Sequence, residues 1–526
     1  MLKRILLVLV MLSTSAIAAD VGGGKQWWSY VEYLASDKLE GRLTGSEGHR
    51  QAAEYVAARF QQDGLQPAGT EGYIQPVEFV SRTIVEKETS VALERDGQSE
   101  PLRIGEDVLI NAGVAPAPSI HAPLAFVGYG LSIPEKEYDD LAGQDLRGKI
   151  AVFVRGGPSA LPGALRAHAQ SVEERWRALH RAGALGAVFI LNPRHMDIPW
   201  SRLAVLRFQP SMQLAYPDMD ESPGNKLAMA VNPAEAERLF TGSGHTFAEL
   251  MELVERGVQL PRFPLAVSLE VHAKYNQREV TSQNVAGVFP GADPTLKNEY
   301  VVLSAHVDHL GVGEPIDGDR IYNGAMDNAA GVATLLEVAD ALHTSGAKPR
   351  RSLLFLVVTG EEKGLLGSKY YAAHPTVPIQ QIAADVNIDM FLPLYPLKRL
   401  TVYGLEESDL GALLKSVAAA EGVEVQPDPA PERNVFIRSD QYSFIKKGIP
   451  SITFSFGYIK GSPEEAALKD WLTHRYHAPS DDTLQPVDLE AAAKYNQIVL
   501  RLTEAVADRS SRPQWEANSF FRRYAK

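Results

Sequence analysis

The chain has no cysteine among its 526 residues. Disulfides and thiolate metal ligands are therefore excluded, and any bound metal must be held by His, Asp and Glu. A thiol for lipid attachment is absent as well. Long hydrophobic runs are also lacking. About 20 apolar residues are needed to span a bilayer, and the apolar run at residues 5–12 is shorter. No stable membrane anchor is expected. Basic charge is in deficit, with Lys plus Arg at 52 against Asp plus Glu at 65, a formal charge of −13. Phosphate contact needs a basic footprint, so no nucleic-acid partner is expected.

The remaining composition, 45% hydrophobic and 22% charged, is that of a globular protein. The length predicts more than one domain. Lys3 and Arg4, the apolar run at 5–12, and Ala16-Ile17-Ala18 form a secretory signal peptide at residues 1–18. Export to the periplasm or the medium is expected.

Downstream, Trp28, Val31 and Leu34, then Ala53, Val56 and Phe60, recur at helical spacing, with Ser46 placed to cap the second helix. Strand-like alternation follows over 74–84. From residue 122 two β-rich runs and an αβ unit continue to 271 without a cluster of His and carboxylates, which predicts an accessory module. From 285 onward the chain alternates buried strands with amphipathic helices: "YVVLSAHVD", "GVATLLEVADALHT", "RSLLFLVVTGEE", "IAADVNIDMF", "IPSITFSF". This pattern predicts an α/β fold, a mostly parallel open sheet flanked by helices. The expected organisation is a first part of one domain at 19–121, an inserted β-rich domain at 122–271, and the main catalytic part at 272–526. The tail from Ser510 is polar and basic, and partial order at best is expected there.

In such sheets ligands sit beyond the carboxyl ends of the strands. His306 and Asp308 follow one predicted strand, Glu361 and Glu362 another, and Asp389 a third. Asp327 lies in "NGAMDNAAG", which feeds a helix, and His477 in "YHAPSDD". Any one of these reads as an ordinary turn or cap. Five such positions, at strand ends or in the loops beside them, read as a metal site. Imidazoles and carboxylates suit two zinc ions a few ångströms apart, served by one bridging carboxylate. The assignment gives the bridge to Asp327, the first ion to His306 and Asp389, and the second to Glu362 and His477. Glu361 is left free as the general base. Asp308 is expected to orient His306. Tyr476 either donates to an oxyanion or packs as an aromatic, and spacing leaves both readings open.

The ordered set "AHVDHLG", "GAMDNAAG", "TGEEKGLLGS", "NIDM", "RSDQYSF" and "YHAPSDD" resembles metallopeptidase family 28, the co-catalytic di-zinc aminopeptidases. "LASDKLEGRLTGSEGHRQAAEYVAARF" is similar to that family's N-terminal segment, and 122–271 resembles its inserted protease-associated domain. The resemblance implies the same ligand roles, a substrate-holding role for Arg438, and a cis peptide at Asp327–Asn328. Many members carry His where Gln441 stands, which implies altered hydrogen bonding near the substrate. His309, His374 and His474 are taken as bystanders.

The expected function is an exported aminopeptidase acting on peptides through a metal-activated water. A carboxypeptidase or dipeptidase on the same centre is the alternative, and would need a cationic clamp for the substrate carboxylate. Two further readings rank lower. A receptor-like homologue would lack ligands that are present here, and a one-zinc glutaminyl cyclase would not need the second set. Nothing in the sequence specifies oligomeric state.

Overall fold

The computed structural model describes residues 21–525, positions 195 and 197 excepted. The expected signal peptide lies outside the described residues. Ten strands form one mixed sheet. Its centre holds four parallel strands in the order Ser352–Val358, Tyr300–His306, Ile382–Asn387 and Ser451–Phe456. Its flanks are antiparallel, with Tyr275–Phe289 and Ile74–Ile84 on one side and Arg399–Tyr403 on the other.

The central strands are continuous aliphatic runs because both faces are covered. Val301, Leu303, Leu353, Phe355 and Val357 face one core, with helices Gly24–Leu34, Glu47–Gln62, Ala330–Ser345 and Leu489–Asp508. Val302, Leu354, Leu356 and Val358 face the other, against Tyr371 and Phe444. Each such aliphatic side chain contributes roughly 1.5–3 kcal/mol on burial. Ser46 caps its helix as expected, its side chain accepting from the His49 N–H. Among the described residues, no helix is long and apolar enough to cross a membrane.

An eight-stranded second sheet is inserted between Ile74–Ile84 and Tyr275–Phe289. It begins at Ser90–Arg95, upstream of the expected boundary at 122, because that strand pairs with Phe263–His272. Ser90–Arg95 and Gln98–Leu102 form a hairpin around Asp96-Gly97, a strong hairpin signal. The module is also stitched to the larger sheet. Strand Ser211–Leu214 leaves it and pairs with Ile74–Ile84.

The C-terminal tail is ordered, against expectation. Phe521 is fully buried, Trp515 nearly so, and both pack on Phe436 and Ile437. Four aromatics scattered among arginines show no period, yet they join one buried cluster with Ala167 of the inserted chain and with Phe436 and Tyr442.

Candidate metal centre and active-site cleft

The predicted site residues converge at the carboxyl edge of the parallel strands. His306 ends Tyr300–His306, and Asp389 lies two residues beyond Ile382–Asn387. Glu361 and Glu362 follow Ser352–Val358. Asp327 lies in Ala325–Ala329, which runs into helix Ala330–Ser345, and the Asp327–Asn328 peptide is cis. His477 follows helix Pro463–His474.

Asp327 stands between the two histidines. Its Oδ1 is 3.4 Å from His306 Nε2, and its Oδ2 is 3.2 Å from His477 Nε2. Asp389 Oδ1 is 3.4 Å from His306 Nε2, and Glu362 Oε2 is 3.2 Å from His477 Nε2. Glu361 Oε2 is farther out, 3.9 Å from His306 Nε2. His306 Nε2 and Asp389 Oδ1 are buried without a hydrogen-bond partner among the described residues. An orphaned buried polar atom costs about 1–3 kcal/mol. Two of them 3.4 Å apart fit a cation, and the donor set, imidazole and carboxylate without thiolate, fits zinc. His306, Glu361 and Asp389 offer ligand atoms within 4.8 Å of one another, as do His309, Asp327 and Glu362.

The electrostatics separate the two adjacent glutamates. Burial, then the Asp389 and Glu362 carboxylates, push Glu361 well above the usual carboxylate range despite the pull of His306. Burial would raise Glu362 too, but His477 and His309 hold it well below that range. Burial lowers the imidazole of His477, yet Glu362 and Asp327 outweigh it and raise the group to about 10.

Residues 284–503 match the family model described as Peptidase family M28. The matched stretch holds His306, Asp327, Glu361, Glu362, Asp389 and His477. It is 24% identical over 417 residues to Aminopeptidase YwaD of Bacillus subtilis, covering 78% of this chain and 73% of that one. It is 23% identical over 383 residues to Carboxypeptidase Q of Xenopus laevis, covering 72% and 69%. The aminopeptidase from Aneurinibacillus sp. strain AM-1 superposes with a TM-score of 0.57 at 19% identity, over 94% of this chain and 97% of that one, and so shares the fold.

Around this site several residues act differently from expectation. His306 Nδ1 meets the backbone carbonyl of Asp308 at 3.1 Å, while the Asp308 carboxylate is 3.8 Å away. That carboxylate instead accepts the N–H groups of Glu361 and Glu362 at 3.1 and 3.3 Å and the Thr44 hydroxyl at 3.0 Å. Asp308 therefore fixes the backbone of the glutamate pair. His309 is no bystander: fully buried, it places Nδ1 2.7 Å from Glu362 Oε1. His474 is an exposed partner of Asp470, and His374 stacks on Tyr370, as bystanders should. Gln441 lies buried behind the cleft, not at its surface. It accepts from Asn387 at 2.8 Å and donates to the Phe436 carbonyl at 3.0 Å.

Two supports went unread in the sequence. The buried guanidinium of Arg42 donates to the carbonyls of Val307, Asn323 and Gly324 at 2.7, 2.7 and 2.9 Å, tying the His306 strand to the Asp327 loop. The Asp481 carboxylate accepts the N–H groups of Met326 and Asp327 at 2.9 and 3.0 Å. The partners are backbone groups more than 150 residues away, which no motif spacing records. The first aspartate of "SDD" and the arginine of "LEGR" were the available signals.

A cleft of about 110 Å³ opens beside the metal-type cluster, reached by Glu361, Asp389, Tyr476, His477 and Arg438. Met390, Leu392, Leu468 and Leu472 line its apolar wall, and Arg433 joins Arg438 on its lining. The Tyr476 ring lies 4.0 Å from that of His477. Burial pushes its phenol well above 10, so it stays a proton donor.

Proposed function

We propose that this chain is an exported M28 aminopeptidase that releases N-terminal residues with apolar side chains, using two zinc ions bridged by Asp327. The observation that carries the reading is Asp327 between His306 and His477, with Glu361 reaching the cleft 3.9 Å from His306 Nε2. His306 and Asp389 would hold one ion, Glu362 and His477 the other. When bound, the pair supplies Lewis-acid polarisation of the scissile carbonyl and acidifies a water. Glu361 takes the proton from that water and returns it to the departing amine. The Tyr476 hydroxyl donates to the oxygen of the carbonyl under attack. Asp308 and Arg42 keep these groups in register through the backbone. The carboxylates of Glu361 and Asp389 at the cleft favour a free α-ammonium on the substrate. The wall of Met390, Leu392, Leu468 and Leu472 suits an apolar first side chain.

Export rests on the N-terminal residues 1–18, and the second sheet is read as the protease-associated insert. The similarity to Aminopeptidase YwaD supports the reading. One observation favours a second. Arg433 and Arg438 both line the cleft, a pair suited to a terminal carboxylate, as a carboxypeptidase or dipeptidase requires. Peptides blocked at one end separate the two. Loss of turnover on N-acetylation with tolerance of C-amidation is expected. The reverse pattern would install the second reading.

A further inference from the structure

The loop that carries Tyr476 and His477 is held from outside the peptidase sheet. Helix Trp200–Leu206 belongs to the chain inserted between the two halves of that sheet. From it, Arg202 Nη1 donates to the Tyr476 carbonyl at 2.9 Å, and Nη2 donates to the Thr473 carbonyl at 2.6 Å. The two acceptors bracket the end of helix Pro463–His474 and the turn into His477. A cation there also meets the negative end of the helix dipole. His477 has a left-handed φ of 54°, so the direction of its imidazole is set by the backbone that Arg202 grips. The gripping helix is itself anchored. Trp200 Nε1 donates to the Gly105 carbonyl at 3.0 Å, and Arg207 Nε to Glu86 Oε1 at 2.7 Å. A planar fork bonding two carbonyls at once is a task for arginine; a lysine ammonium reaches one with good geometry.

We propose that Arg202 is a positioning residue through which the inserted module sets the aim of His477, and with it the affinity of the half-site formed by His477, Glu362 and Asp327. The proposal rests on the two-ion reading of the centre. It assigns the inserted chain a part in assembling the peptidase site itself. Arg202 touches neither donor atoms nor substrate. It acts through two backbone carbonyls, and the Tyr476 ring, tilted against His477 at 4.0 Å, moves with them.

Partners one layer removed from a metal typically change its affinity 10–100-fold when lost. Zinc-free full-length protein would be titrated with zinc against a chromogenic chelator, comparing wild type with Arg202→Ala, Arg202→Lys and His477→Ala. Wild type is expected to bind two equivalents. Arg202→Ala should bind the first as wild type does and the second at least ~10-fold more weakly, while Arg202→Lys falls between. Were Arg202→Ala not to fold, Arg202→Lys carries the test, since it keeps the charge and loses one of the two bonds. Two equivalents bound with wild-type affinities in both Arg202 variants, with the second lost in His477→Ala, would overturn the role of Arg202 and leave the two-ion reading standing. A wild type that binds a single equivalent would instead overturn the two-ion reading, and this proposal with it.

Discussion

Glu361 and Glu362 are adjacent in the chain, yet their surroundings divide them. Glu362 faces His477 and His309 and is held ionised, as a ligand must be. Glu361 reaches the cleft, and burial beside other carboxylates raises its proton affinity. That is the environment of a group that takes and returns a proton. Glu361→Gln keeps the shape and the backbone N–H bonded to Asp308. It is expected to lower kcat by about 10²–10⁴-fold while the zinc content per chain, measured by elemental analysis, stays at the wild-type level. Activity within a few-fold of wild type would reassign the base. The sequence placed these side chains at strand ends or in the loops beside them, because strand ends and motif order are readable in one dimension. It did not tell which atom of Asp308 meets His306, nor that His309 turns onto Glu362. Both depend on rotamers chosen by packing across the sheet.

The strands that present these residues were legible from unbroken aliphatic runs, which require burial on both faces. The second sheet's early strands were not, because they are short and their pairing partner, Phe263–His272, lies some 170 residues on. The central strands also carry a polar device beneath the site. Asp385, in Ile382–Asn387, is fully buried; its Oδ1 accepts from the Ser304 hydroxyl at 2.7 Å, and its Oδ2 has no hydrogen-bond partner among the described residues. Burial raises this carboxyl from 3.8 to about 8, with the Asp440 carboxylate adding to the shift. The folded chain therefore keeps a proton that the unfolded chain has released. Its contribution to stability is complete below pH 4 and is lost as pH rises towards 8. Asp385→Asn removes the titration. Relative to wild type, its unfolding free energy is expected to rise by about 2–4 kcal/mol between pH 5 and pH 8, since each pKa unit is worth about 1.4 kcal/mol. Denaturant unfolding at a series of pH values measures this, and parallel profiles for the two proteins would refute it.

At the scale of the whole molecule, the inserted module is joined to the peptidase sheet by a shared strand, by Arg202, and by a seam of buried polar and aromatic groups. His168 of the module bonds the Tyr442 hydroxyl at 2.6 Å and the Tyr524 hydroxyl at 3.2 Å. Lys446 and Lys369 of the peptidase part meet Glu173 and Glu221 of the module at 3.0 and 2.6 Å. The C-terminal tail closes the seam. Phe520 tilts against the His168 ring at 5.0 Å, and Phe521 is fully buried against Phe436 and Trp515. Composition hid this, because the tail's charges dominate its average while its aromatics do the packing. Phe521→Ala would leave a cavity where both parts and the tail meet. The expected cost is about 3–5 kcal/mol of unfolding free energy, seen as a lower denaturant midpoint. Phe521 itself does not line the cleft, so kcat on a small aminoacyl amide is expected to stay near wild type at a temperature where the variant is folded. A cost below ~1 kcal/mol, the range of an ordinary surface substitution, would show that the tail rests on the seam without holding it.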